Sequence, residues 1–147
     1  MSKPDLPFDT TLRIRDECFC LHVQRAARAV GRRYDEALRP YGLTNGQFSL
    51  LMSLNRPEPA TMGPVAKLLA MDRTTLTAAL KPLERRALVE VAADPKDRRS
   101  RHLILTETGR ALLAQAVPAW RATQNDIEAL LAAAEAESFR GELRALS

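Results

Sequence analysis

The chain has 147 residues, 46% hydrophobic and 27% charged, with a net charge of +4; this is the make-up of one soluble domain, or of one protomer of an intertwined dimer, with a real core. No apolar run approaches the roughly 18 residues of a membrane span, and the opening MSKPDLPFDT lacks the apolar centre of a signal peptide. Two cysteines without an extracellular address point to a reducing, cytoplasmic setting, while nine prolines and few aromatics speak against long strands and against a base-stacking sheet.

Met1 to Thr10, with two prolines, reads as a mobile arm. A single long helix is expected from about Thr11 to Arg39, since Leu12, Cys18, Leu21, Ala26, Val30, Tyr34 and Leu38 recur at helical intervals. Pro40 and Gly42 end it. Thr44 is the expected N-cap of the next helix, with Gln47 completing a capping box; Phe48, Leu51, Met52 and Leu54 are expected to bury. Arg56-Pro57-Glu58-Pro59 stops that helix.

A short helix follows from Gly63 to Ala70, with Val65, Leu68 and Leu69 on its buried face. Asp72 is a good N-cap for another, along which Leu76, Leu80 and Leu83 repeat on one side. Arg73, Thr74, Thr75, Thr77 and Ala78 fall elsewhere, a short, hydroxyl-rich set that suits a helix laid in a DNA major groove. Leu88, Val89 and Val91 then predict a strand, Asp94-Pro95 a turn, and His102 to Thr106 the return strand. Lys96, Arg98, Arg99 and Arg101 crowd onto the tip beside a single acid, Asp97. Such a tip fits a polyanionic partner, an arginine entering the narrow minor groove of double-stranded DNA. From Thr61 to His102 nine cations face five acids, an excess equal to that of the whole chain. A basic centre between neutral flanks is the electrostatic footprint of a nucleic-acid-binding module.

Beyond Thr106 a long helix is expected, lined by Ala111, Leu112, Leu113, Ala116, Val117 and Trp120 and continued by Ile127, Leu130 and Leu131, with a kink or break at Pro118. A last helix is expected from about Ala134 to Leu146, carrying Phe139, Leu143 and Leu146. The terminal helices are too apolar to stand alone. The economical arrangement is a two-fold homodimer whose recognition helices lie about one DNA turn apart, on an inverted repeat.

The run DRTTLTAALKPLERRALVEVAADPKDRRSRHLILTETGR resembles the winged helix-turn-helix of the multiple-antibiotic-resistance regulator (MarR) family. The D-R-T-T-L-T start, P-L-E-R join, D-x-x-D-R-R-S wing and L-T-x-x-G exit occur in order, and G-L-T-x-x-Q-F-x-L-L resembles the family's second helix. The resemblance implies a mainly α fold with a small β-hairpin wing, divided into an N-terminal arm and dimerisation helix (1–42), a winged helix-turn-helix (43–106) and C-terminal dimerisation helices (107–147). It implies a dimeric transcriptional regulator, a repressor released from its operator by a phenolic or carboxylate effector, with Arg99 as the minor-groove residue and Asp97 its brace. Arg98 and Arg101 are expected on phosphates, and Lys81 completes the cationic set. Two positions depart from the family pattern: Ala78 replaces a larger polar residue, and Ala87 a glycine.

Cys18 and Cys20, taken as i, i+2 on one helix, point about 200° apart and cannot pair. Without a CxxC and with only two histidines they make no metal site, and no cofactor is expected. They read either as buried apolar residues or as a thiol sensor. By comparison with the hydroperoxide-sensing branch, Cys20 falls on the reactive cysteine and Tyr34 on one polarising tyrosine, while Asn45 replaces the second. Arg15 and His22, seven apart, are the candidate grip for an anionic effector. Two further readings are a winged-helix protein-interaction module that binds no DNA, and an enzyme with a thiol nucleophile. No glycine-rich loop, nucleophile elbow or paired acid supports the latter.

Overall fold

The computed structural model describes residues 4–132 and 135–147. Helices α1 (Phe8–Glu17), α2 (Phe19–Leu38) and α3 (Asn45–Ser53) precede strand β1 (Ala60–Thr61); α4 (Met62–Leu68) and α5 (Arg73–Arg85) follow. Strands β2 (Val89–Ala93) and β3 (Arg101–Leu105) form the hairpin, and α6 (Glu107–Glu128) and α7 (Ala136–Ala145) complete the chain. The sheet is antiparallel in the order β1-β3-β2, with Val91 opposite Leu103, Leu103 opposite Ala60, and His102 opposite Thr61.

The core sits inside the winged module. Leu38, Leu50, Leu51, Leu76, Leu83 and Leu103 are fully buried, with Leu113 and Ala116 of α6 closing over them. Leu76, Leu80 and Leu83 are the buried face of α5, as their spacing requires. Local chemistry sets the boundaries. Thr44 and Gln47 form both halves of a capping box at α3. Asp72 accepts from the Thr75 N–H at 2.7 Å, and the Thr106 hydroxyl accepts from Gly109 N–H while donating to the Ala87 carbonyl. After α5, Ala87 takes φ 56°, so the turn keeps its left-handed form without the glycine that suits it. Ala87→Gly is expected to stabilise the fold by about 1 kcal/mol, read from the urea midpoint; no gain would mean that the surrounding loop relaxes the strain.

Several expectations are corrected. The N-terminal helix is two helices: Cys18 is extended (φ −68°, ψ 111°) between α1 and α2. Its N–H closes α1 on Ile14, while its carbonyl accepts from both the N–H and Nδ1 of His22. No proline or glycine marks that break. The expected arm is in part helical, since α1 begins at Phe8 behind Pro7; Met1 to Lys3 lie outside the described residues. Met52 and Leu68, expected to bury, are exposed, Leu68 by 71%. Helix α4 ends at Leu68, and Ala66 takes the buried place beside Val65. Ala111 is exposed on α6. That helix runs unbroken through Pro118, because Leu113 and Ala116 before it and Trp120 after it pack on the core and hold the register. The last helix starts at Ala136; its expected first residue, Ala134, lies outside the described residues. Phe139, Leu143 and Leu146 are exposed.

Candidate nucleic-acid interface

Helix α5 presents Arg73, Thr74, Thr75, Thr77, Ala78 and Lys81 to solvent on the side opposite its leucines. The Thr77 hydroxyl donates to the Arg73 carbonyl at 2.8 Å, so in this rotamer only its lone pairs face outward. It can accept from a base amino group but not donate to a phosphate. Ala78 leaves a methyl-sized surface between the threonines and Lys81, which suits contact with a thymine methyl rather than a polar base edge.

Asp72 fixes where α5 begins. Its carboxyl is held below the usual carboxylate range, first by the Thr75 backbone N–H and then by the Thr75 hydroxyl. A depressed folded value gives stability that is present above the unfolded carboxylate pKa and is lost as pH falls through the folded one. Asp72→Ala is therefore expected to lower Tm near neutrality, with the gap to the parent closing below about pH 4. A gap that stayed constant down to acid would show that the cap acts without its charge.

The wing tip is held by local hydrogen bonds. Asp94 accepts from the Lys96 N–H at 2.8 Å, Asp97 accepts from the Arg99 N–H at 3.0 Å, and the Arg101 guanidinium donates to the carbonyls of Arg98 and Ser100 at 3.3 Å. The expected brace from Asp97 to the Arg99 side chain takes another form. The carboxylate holds the Arg99 backbone, leaving that guanidinium outside any ion pair among the described residues. Residues two apart in so tight a turn bring an amide nearer than a long side chain. Arg73, Asp97, Arg99 and Arg101 meet around one cleft of about 360 Å³, floored by Thr61 to Pro64. Lys81 and Arg98 stand outside it. Two features escaped the sequence reading: strand β1 and the start of α4 as the floor, and an imidazole–carboxylate contact at the wing's base, His102 Nε2 to Asp94 at 3.3 Å. The Asp-Pro turn signal at Asp94 hinted at the second.

The candidate effector and redox residues fare differently. Arg15 lies on α1, bound to the neighbouring Asp16 at 2.7 Å, and His22 lies on α2, bound to the Cys18 carbonyl. The break at Cys18 removes the shared helical face on which their pairing rested. It also removes the helical argument against pairing of the cysteines. Cys18 is half-buried and Cys20 exposed, so neither is a core residue within the protomer. The Tyr34 hydroxyl donates to Gln124 of α6, and burial, then the charge of Glu128, raises its pKa. It stands 14 residues from Cys20, about 21 Å along α2, so it does not polarise that thiol within one protomer. Asn45 ties α3 to α2 through Asp35.

Beside α6 lie two clefts. One, of about 280 Å³, is lined by Val30, Tyr34, Asn45, Phe48 and Trp120 among others. The other, of about 600 Å³, is lined by Phe48, Met52, Leu68, Trp120 and Arg121 among others. Phe48 and Trp120 stack between them with ring centroids 6.3 Å apart. Trp120 is thus both packed on the core and a cavity wall.

A helix-turn-helix closed by a basic hairpin is a winged helix, and a cationic helix face meeting a cationic wing is the arrangement that winged-helix regulators use on DNA. The family model described as the MarR family matches residues 41–100. The regulator TtmR of Methylorubrum extorquens is 36% identical over 97 residues, 66% of this chain and 50% of TtmR. The chain thus spans about half the length of that curated relative. The M. tuberculosis regulator MosR, solved in complex with DNA, is 41% identical with a TM-score of 0.81, over 88% of this chain and 93% of MosR. Bordetella bronchiseptica BpsR, whose DNA binding is regulated by 6-hydroxynicotinic acid, is 28% identical with a TM-score of 0.79, over 88% of this chain and 93% of BpsR. The chain belongs to the MarR family of transcriptional regulators.

Proposed function

We propose that the chain is a homodimeric repressor that binds an inverted repeat in double-stranded DNA and releases it when a small phenolic or carboxylate effector binds. The observation that carries the DNA reading is the single cleft where Arg73 of α5 meets Arg99 and Arg101 of the wing. Two elements distant in sequence converge there on one anion-seeking face. In this reading Arg99 enters the minor groove, α5 lies in the major groove, and Arg98, Arg101 and Lys81 take phosphates.

Dimerisation is supported by the apolar surface left on the terminal helices. Helix α1 buries no residue and α2 only Leu38 within the protomer. Phe8 is 71% and Phe19 82% exposed, and Phe139, Leu143 and Leu146 are exposed on α7. A patch of that make-up marks an association surface. The segments 1–42 and 107–147 would then form the dimer around 43–106, the DNA-binding unit. An aromatic acid fits the larger cleft, whose apolar walls end in Arg121. A ligand favouring one spacing of the recognition helices lowers DNA affinity by its differential binding energy.

The test is a fluorescence-anisotropy titration with the DNA upstream of the protein's own gene, at two salt concentrations and with a panel of phenolic acids. Tight, steeply salt-dependent binding to an inverted repeat is expected, with release by one of the acids. Arg98→Ala and Arg101→Ala are each expected to flatten the salt dependence by about one unit. Arg101→Ala should also weaken binding more, since it releases two tip carbonyls. A folded dimer that binds no promoter fragment would favour the protein-interaction module instead.

Thiol control is a second reading, favoured by the exposure of Cys20 and by Gln24, whose side-chain amide donates to its sulfur at 3.2 Å. A hydroperoxide would oxidise the Cys20 thiolate to sulfenic acid, with the O–O bond broken and the alcohol leaving. Release of DNA by hydroperoxide in the parent, but not in Cys20→Ser, is the result this reading requires.

A further inference from the structure

The imidazole–carboxylate contact at the wing's base joins the two strands of the hairpin where they leave the sheet. Asp94 is the first residue after β2, and its N–H donates to the Ser100 carbonyl at 3.2 Å. One of its carboxylate oxygens accepts from the Lys96 N–H, setting the turn that carries the cationic tip; the other lies 3.3 Å from His102 Nε2. A single carboxylate thus connects the tip turn to an imidazole anchored in the middle strand. His102 is held there by β1 and β2, opposite Thr61 and Ala92, with its side chain about a quarter exposed.

We propose that His102, acting through Asp94, is a positioning residue for the wing, and that the wing's hold on DNA tightens as His102 takes up a proton. The proposal rests on the DNA reading above. A neutral imidazole can donate its Nε2 hydrogen to Asp94, so the contact exists in both protonation states. Protonation turns it into a charge-assisted bond and adds one cation beside the tip. Histidine is the side chain that ordinarily makes this change between about pH 5 and 8. Asp94 stays ionised across that range, its carboxyl held low first by the Lys96 N–H and further by His102.

The elements that pack against β3 carry few other charged groups. Arg101 precedes it on β3, with its guanidinium drawn to the tip carbonyls. Glu90 lies on β2 opposite Ile104, two places along the same face of the sheet. Helix α4 brings only Lys67, β1 only the neutral Thr61. Asp94 is the one carboxylate within 4 Å of the His102 ring nitrogens among the described residues. The second histidine, His22, is bound to the Cys18 carbonyl on α2 and serves as the internal control.

The experiment measures operator affinity by anisotropy at about pH 6 and about pH 8 for the parent, His102→Gln, Asp94→Asn, the double variant and His22→Gln. The parent is expected to bind about threefold more tightly at the lower pH, the scale of a partly exposed ion pair. His102→Gln and Asp94→Asn should each lose that pH response, the double variant should lose no more, and His22→Gln should keep it. A full pH response in His102→Gln, or its loss in His22→Gln, overturns the proposal. In parallel, the Lys96 amide resonance of DNA-free protein should move over the same pH interval in the parent and stand still in His102→Gln. A moving amide in a protein that binds no operator would mean that the clamp exists but the DNA reading has failed. Salt-sensitive binding with a motionless amide would leave the DNA reading standing and refute the clamp.

Discussion

Arg99→Ala is expected to weaken operator binding by about 2 kcal/mol, roughly thirtyfold, while leaving Tm unchanged. The side chain is exposed, and the hydrogen bond that fixes Arg99 in the tip among the described residues runs from its backbone N–H to Asp97. Replacing the guanidinium therefore removes nothing that the fold uses. The large effect expected on DNA follows from the cleft, where Arg99 stands beside Arg73 and Arg101 with no carboxylate on its guanidinium among the described residues. A free fork at the end of a fixed turn is prepaid in orientation. Arg56→Ala, which removes an exposed cation from the linker before β1, is the control for general charge loss. Anisotropy titrations of both variants decide the matter: equal losses would reduce Arg99 to one phosphate contact among several.

Gly109→Ala carries the largest expected effect on stability, a loss of about 3 kcal/mol. A Cβ on Gly109 would meet the Leu88 carbonyl oxygen at 2.2 Å and Leu105 Cδ1 at 2.8 Å. Neither neighbour can yield easily. The Leu88 carbonyl already accepts from the Thr106 N–H, and Leu105 is a buried strand residue opposite Val89. The glycine is needed because α6 starts directly against the wing strands, with Thr106 capping it and bonding back to Ala87. Gly46, on α3, is the contrast: a Cβ there meets nothing within 4 Å, so Gly46→Ala should be neutral or stabilising by up to about 1 kcal/mol. Urea denaturation of the two variants tests this. Equal stabilities would show that α6 can shift away from the wing without loss.

These two residues sit at opposite ends of what a linear reading reaches. The D-R-R-S wing and the L-T-x-x-G exit were both visible as motifs, yet only the folded chain shows that one places a guanidinium and the other removes a methyl. The leucine face of α5, the capping box at Thr44 and Gln47, the cap at Asp72 and the turn at Asp94 all emerge from spacing and residue chemistry. Met52 and Leu68 were misplaced because periodicity assigns a face without knowing whether anything covers it. The break at Cys18 left no trace because its backbone groups are satisfied by Ile14 and His22, neither of which is a breaker.

The sequence by itself determined the local geometry at its capped sites: where α3 and α5 start, that Leu76, Leu80 and Leu83 turn inward together, and that the cations gather between Thr61 and His102. Those properties depend on contacts within a few residues, which helical and strand periods and capping chemistry encode directly. The tertiary structure alone decided what those cations do together. It brought β1 beneath the wing, set Arg73 beside Arg99, gave Asp94 to His102 rather than to a tip arginine, and carried α6 through Pro118. Each of these is a contact or constraint set by distant elements, chosen by packing and by which donor happens to lie within hydrogen-bond reach. No period along the chain records it.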